Sequence, residues 1–181
     1  MNPTTTFAAL LRAVNVGGRN KVSMPELKSL LASLGLEDVV TYVQSGNVVF
    51  RSPTGDREEI AARIERQIAE AFGVRSTVLL RTPAELSAIA DGNPFLKRES
   101  ELAKLHVVFL GDRPAADAVA RLDPERSPPD EFSLRGREIY LHLPNGAGRS
   151  KLTLDYFERR LGVDATARNW KTLLKLVELS T

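Results

Sequence analysis

Short apolar runs rich in β-branched and aromatic residues alternate along this chain with stretches whose apolar positions recur every three or four residues. Phe7-Ala8-Ala9-Leu10-Leu11 is bounded by threonines and a glycine-rich stretch, which predicts a strand. A loop spans 13–22. Leu27, Leu30, Leu31 and Leu34 then follow helical spacing, with Ser23 and Glu26 placed as a capping box and Gly35 as the stop. Val39–Val43 and Val48–Arg51, separated by Gln44-Ser45-Gly46-Asn47, predict a hairpin. Ile60, Ile64, Ile68 and Phe72 mark one face of a second helix, with Asp56, Glu58 and Glu59 where the helix dipole favours acids and Gly73 as its end. Thr77–Arg81 is a further strand.

After a connector at 83–102, in which Pro83–Ala90 suits a short helix, the order repeats. Leu105–Leu110 is a strand, and Ala115, Ala118, Val119 and Leu122 mark a helix face. Phe132–Arg135 and Glu138–Leu143 flank Gly136 as a hairpin, Thr153–Leu161 is a helix stopped by Gly162, and Ala165–Arg168 is a short strand. Trp170, Leu173, Leu174 and Val177 form the stripe of a closing helix, which places Trp170 in a core. The order β-α-β-β-α-β, found twice, predicts an α+β protein of two tandem ferredoxin-like units with antiparallel sheets, at 5–82 and 103–181.

Composition narrows the chemistry. The chain has 181 residues, no cysteine and two histidines. Disulfides, thiolate catalysis and cysteine–zinc sites are excluded. No apolar run approaches the ~20 residues of a membrane-spanning helix. The amino terminus, starting Met1-Asn2-Pro3-Thr4, lacks the basic and apolar regions of a signal peptide. These features point to a cytoplasmic protein with no membrane partner. The formal charge is +2, balanced between the halves, without a basic arm.

The charge is informative only locally. Asn15-Val16-Gly17-Gly18-Arg19-Asn20-Lys21 and Asn145-Gly146-Ala147-Gly148-Arg149-Ser150-Lys151 share one pattern, each before a Ser or Thr that starts a helix. Glycines let backbone N–H groups approach a ligand, a helix N-terminus adds donors, and Arg and Lys add charge. The combination suits phosphate or carboxylate. It is also what a solvated strand-to-helix turn looks like. It is not a Walker A loop, because Ser150 stands where that motif needs glycine and Leu152 where it needs Ser or Thr. The topology predicts that Arg12, Asn15, Gly17, Gly18, Arg19, Asn20 and Lys21 gather with Gln44, Ser45 and Asn47. In the second unit it predicts that Asn145, Gly148, Arg149 and Lys151 gather with Arg168 and Asn169, so that Arg12 and Arg168 each end a strand beside a glycine-rich loop.

His106 and His142 fall on neighbouring strands, which suggests a cross-strand pair. Two histidines without a third ligand do not predict a metal site. No metalloprotease, calcium-loop or nucleophile-elbow motif occurs. Ferredoxin-like sheets bind RNA through aromatics on their central strands; Arg135-Gly136-Arg137 resembles the start of that signature, but the aromatics that should follow it are missing.

The stretch Ala9-Leu10-Leu11-Arg12-Ala13-Val14-Asn15-Val16-Gly17-Gly18, with Met24, Leu27 and Tyr42-Val43-Gln44-Ser45-Gly46-Asn47-Val48-Val49-Phe50, resembles the N-terminal signature of a bacterial family catalogued as domain of unknown function 1697. Asn93-Pro94-Phe95 and Ala167-Arg168-Asn169-Trp170 also resemble that family. Ala13-Val14 departs mildly from it, standing where Gly-Ile or a similar pair is commoner. The resemblance implies the same two-unit fold and no reaction, cofactor or catalytic residue. The residues themselves point to a cofactor-free binding protein for an anionic small molecule or a phosphate-bearing partner. The alternatives are an enzyme acting on a phosphorylated or nucleotide-like substrate, with His142 or His106 as acid/base, and a nucleic-acid-binding protein that stacks bases on an exposed Trp170.

Overall fold

The computed structural model describes residues 4–181; Met1–Pro3, where the reading of the amino-terminal segment begins, lie outside them. The chain divides into two compact units, Met1–Ala88 with Lys175–Thr181, and Ile89–Leu174.

In the first unit, β1 (Thr5–Leu11), α1 (Met24–Ser33), β2 (Glu37–Tyr42), β3 (Asn47–Ser52), α2 (Arg57–Phe72) and β4 (Val78–Arg81) follow the expected order, and α3 (Pro83–Asp91) begins after them. The strands form one antiparallel sheet in the order β2-β3-β1-β4, the ferredoxin-like arrangement. Strand pleating sends alternate side chains to opposite faces. Phe7, Ala9 and Leu11 therefore share a face with Val48, Phe50, Val78 and Leu80, packed with Leu27 and Leu31 of α1 and Ile60, Ile64 and Ile68 of α2. Burial of each large aliphatic side chain contributes roughly 1.5–3 kcal/mol relative to exposure. Ser23 caps α1 by accepting from the Glu26 N–H, Asp56 caps α2 by accepting from the Glu59 N–H, and Gly73 ends α2 in a left-handed conformation. Val43 leaves β2 with φ +52°, a conformation that a β-branched residue rarely adopts, so the strand ends one residue before its apolar run does.

The second unit repeats the plan. It holds β5 (Leu105–Leu110), α4 (Ala116–Val119), β6 (Glu131–Arg135), β7 (Glu138–His142), α5 (Leu154–Leu161) and β8 (Ala165–Asn169), with sheet order β6-β7-β5-β8. Val108, Leu110, Ile139, Leu141 and Ala165 face Tyr156, Phe157 and Leu161 of α5. The helix expected over 115–122 shortens to one turn. Its continuation tightens into i→i+3 bonds at Arg121 and Leu122, and Pro124 bars Asp123 from helical conformation. The closing helix is α6 (Trp170–Ser180).

The registers reveal an equivalence that the sequence does not advertise. Leu11 pairs with Val78 as Leu110 pairs with Ala165, so three residues further along Arg81 and Arg168 are counterparts. Both are buried, at 1% and 7% exposure. Each is followed by a capping residue: Thr82 Oγ1 accepts from Glu85 N–H at 3.3 Å, and Asn169 Oδ1 from Thr172 N–H at 2.8 Å. α3, predicted inside a connector, is thus the counterpart of α6, with Leu86 and Leu173 both fully buried.

Candidate anion-binding site

β1 ends at an edge of its sheet where three other segments meet. Leu11 N–H donates to Gly46 O at 2.9 Å, Arg12 N–H to Thr77 O at 2.9 Å, and Ser76 Oγ to Arg12 O at 2.7 Å. Arg12 is thereby pinned at both backbone groups. A Cβ on Gly46 would lie 2.7 Å from Leu11 Cβ, and Gly46 has φ +77°, so glycine is required where the hairpin meets β1.

The 13–21 loop closes on itself through unusual backbone. Ala13, Asn15, Gly17, Gly18 and Asn20 all have positive φ. The Asn15 side chain holds the fold of the loop. Its Nδ2 donates to Val22 O at 2.9 Å and Gln44 O at 2.7 Å, while Oδ1 accepts from Val22 N–H at 2.9 Å. Asn20 Nδ2 donates to Ala13 O at 2.9 Å. In the hairpin, buried Asn47 donates to Tyr42 O and to Ser45 Oγ. The predicted gathering of this loop with Gln44–Asn47 is therefore present. Its amides brace the scaffold, whereas Gly17, Gly18, Arg19, Lys21 and Gln44 are exposed on its rim.

Arg12 also lines a cleft of about 500 Å³ with Ala62, Glu65, Arg66 and Ala69 of α2 and Arg75, Ser76 and Thr77. Sequence reasoning missed Arg66 and Arg75. The signal was available in the topology, because antiparallel pairing of β1 with β4 brings the α2–β4 turn back to the end of β1.

The second loop shares the sequence pattern but not the conformation. Gly146 has φ +83°, Gly148 is not in the left-handed region, and Ala147–Arg149 form a 3-10 turn. Lys151 is anchored on the 126–130 segment: its N–H donates to Ser127 Oγ at 3.0 Å, Ser127 Oγ donates to Asp130 Oδ2 at 2.7 Å, and Arg126 Nε donates to Lys151 O at 2.9 Å. Thr153 caps α5 as expected. Asn145, Gly148, Arg149 and Lys151 are exposed, and Asn169 spends its Oδ1 on the α6 cap. Arg168 turns to its own strand, donating to Thr166 Oγ1 at 2.7 Å and Ala167 O at 2.8 Å, and burial pushes its guanidinium down to about 10. It offers little charge to solvent.

The expected histidine pair does not form. His106 pairs with Leu141 and His142 with Leu105, one residue out of step, so the two rings lie on opposite faces. His142 instead meets Glu99 Oε2 at Nε2 (3.0 Å) and Glu131 Oε1 at Nδ1 (3.4 Å), beside the Phe95 ring. Arg98 pairs with the same Glu131 at 2.7 and 2.8 Å. His106 is half-buried, its Nδ1 has no partner, and burial lowers its pKa. Among the described residues, no group of three His, Cys, Asp or Glu side chains could hold a metal ion. Trp170 is 1% exposed against Tyr140, so it presents no stacking surface to a base. The sheet face that RNA-binding relatives of this topology keep open is occupied here by Ala8, Leu10 and Val49 in one unit and Val107, Phe109 and Tyr140 in the other, all buried. No described helix is long and apolar enough to cross a membrane.

Fold and site together define a protein of two tandem ferredoxin-like units with a basic, loop-built edge on the first. The profile of the family described as protein of unknown function (DUF1697) matches residues 4–140, and the chain belongs to that family. The chain is also similar to a solved structure, a conserved bacterial protein, SP0830, from Streptococcus pneumoniae. The identity is 25%, the TM-score is 0.77, and the match covers 99% of this chain and 100% of that one. No curated protein matches.

Proposed function

We propose that the protein binds an anionic small molecule, bearing phosphate or carboxylate, at the edge of the first unit where β1 ends. The observation that carries this reading is the division of labour within the loop. Asn15, Asn20 and Asn47 hold the backbone through internal hydrogen bonds, while Arg19 and Lys21 stand exposed beside Gly17 and Gly18. A pre-folded loop presents its cations without a further cost of ordering the backbone. Charged groups held in this way bind oxyanions through charge-assisted hydrogen bonds. The protein acts in this reading as a cytoplasmic binding protein. Asn145, Gly148, Arg149 and Lys151 form a second basic rim of the same composition in the other unit.

Titration calorimetry at low salt tests the reading with phosphate, pyrophosphate and citrate. The expected result is binding that weakens in Lys21→Ala and weakens further when Lys151→Ala is added. A wild-type protein that takes up none of the three anions removes the proposal.

A further inference from the structure

The second unit holds a cluster that the anion-binding reading does not use. His142 closes β7 with its ring between two carboxylates. Nε2 lies 3.0 Å from Glu99 Oε2, in the segment before β5, and Nδ1 lies 3.4 Å from Oε1 of Glu131, its cross-strand neighbour on β6. The His142 and Glu99 side chains are only 12% and 14% exposed. We infer that this cluster is a proton-operated clasp: the imidazolium of His142 pins the 95–101 segment to its sheet, and loss of that proton loosens the segment.

The reason lies in the donors of the ring. A neutral imidazole has one N–H and one bare lone pair, whereas an imidazolium donates from both nitrogens. Ionised carboxylates only accept. The Glu101 N–H and then His142 lower the Glu99 carboxyl from 4.5, and Arg98 followed by His142 lowers that of Glu131, so both are ionised near neutrality. The two contacts are therefore satisfied together only when His142 is charged. In either neutral tautomer a lone pair faces a carboxylate oxygen, and the contact that survives loses its charge assistance.

The surrounding charges balance on the same condition. Arg98 donates to both Glu131 oxygens at 2.8 and 2.7 Å, and Lys104 Nζ stands 2.8 Å from Glu101 and 3.9 Å from Glu99. Leu105, across the β5–β7 pairing, and the Phe95 ring, stacked at 5.7 Å, add no charge. With its proton, His142 joins Arg98 and Lys104 against Glu99, Glu101 and Glu131; without it a carboxylate is left in excess. The Arg98–Glu131 pair is about half exposed and holds the segment weakly by itself.

The clasp governs one stretch of the connector. Upstream, Tyr140 Oη donates to Ile89 O at 2.9 Å and Arg135 to Gly92 O at 2.8 Å, neither through a histidine. Beyond Phe95, the Arg98 and Glu99 N–H groups donate to Phe95 O at 3.1 and 3.0 Å, and the Glu101 N–H donates at 2.8 Å to the same Glu99 carboxylate that His142 holds. The clasp is closed within a window of pH. Protonating the carboxylates opens it on the acid side, below 4.5, and losing the imidazolium proton opens it as pH rises.

Nuclear magnetic resonance on the full chain tests it over about pH 5–8, the interval in which imidazoles change charge. Long-range proton–nitrogen spectra, assigned by the signals missing from His142→Gln, read the protonation of each ring nitrogen. Amide exchange, compared with the intrinsic rate at each pH, reads the protection of Arg98, Glu99 and Glu101. The expected result is a ring protonated on both nitrogens at the acid end. As it titrates, protection of those amides should fall about fivefold or more, while Val107 and Tyr140 in the sheet keep theirs. His142→Gln and Glu99→Gln should each show low protection at 98–101 that no longer depends on pH. A ring neutral throughout the interval overturns the clasp. So does protection of 98–101 that ignores the titration of the ring, or that follows pH equally in wild type and both variants.

Discussion

The Asn15 carboxamide donates to the Gln44 carbonyl at 2.7 Å across 29 residues of chain, and with its other bonds it clips the 13–21 loop to the β2–β3 hairpin and to Val22. Replacing Asn15 with Gly tolerates the φ of +55° but removes all three bonds. Asn15→Gly is expected to cost about 2 kcal/mol and to lower Tm by about 4–8 °C. Arg19→Ala with Lys21→Ala, on the exposed rim, should stay within about 0.5 kcal/mol of wild type. Equal stability of Asn15→Gly and wild type in thermal denaturation would show that the loop holds itself without the clip.

Gly46 is the tightest point of the same junction. An added methyl meets Leu11 Cβ at 2.7 Å and has to adopt a φ of +77°. Gly46→Ala is expected to cost about 2–4 kcal/mol, combining left-handed strain with overpacking. Urea unfolding measures it, and a midpoint unchanged from wild type contradicts the close approach.

Acid should find the carboxylates around His142. The Glu101 N–H and then His142 hold the Glu99 carboxyl below its ordinary 4.5, and Arg98 followed by His142 does the same for Glu131. A depressed carboxylate stabilises the fold fully above its unfolded value, and that contribution is lost as pH falls through the folded value. The window therefore opens below 4.5. Glu99→Gln should be less stable than wild type near neutrality, and the two should converge as the pH falls to about 3. Urea midpoints that stay parallel over that range would show that the pair contributes nothing.

The sequence shows its elements most clearly where local chemistry suffices. Ser23, Asp56 and Thr153 cap helices, Gly73 and Gly162 end them in left-handed conformation, and β1, β3, β4 and β5 are built on apolar runs. It was less informative where a residue answers to a partner distant in sequence. Val43 belongs by composition to β2, yet the turn that meets β1 forces its φ positive. The helix at Ala116–Val119 is cut short by the Asp123-Pro124 step that follows its apolar stripe.

The candidate site divides in the same way. Composition and spacing alone determined two β-α-β-β-α-β units and a basic, glycine-rich loop beside the β2–β3 hairpin, because periodicity and turn chemistry are written in neighbouring residues. Only the tertiary structure decided which polar groups are spent and which are on offer. Asn15 and Asn47 turned out to be braces, and Arg168 proved to be buried as the counterpart of Arg81. Arg66 and Arg75 joined Arg12 in one cleft. The physical reason is that hydrogen-bond satisfaction and charge convergence depend on strand register and on the return of the chain, and neither is a property of any local window of sequence.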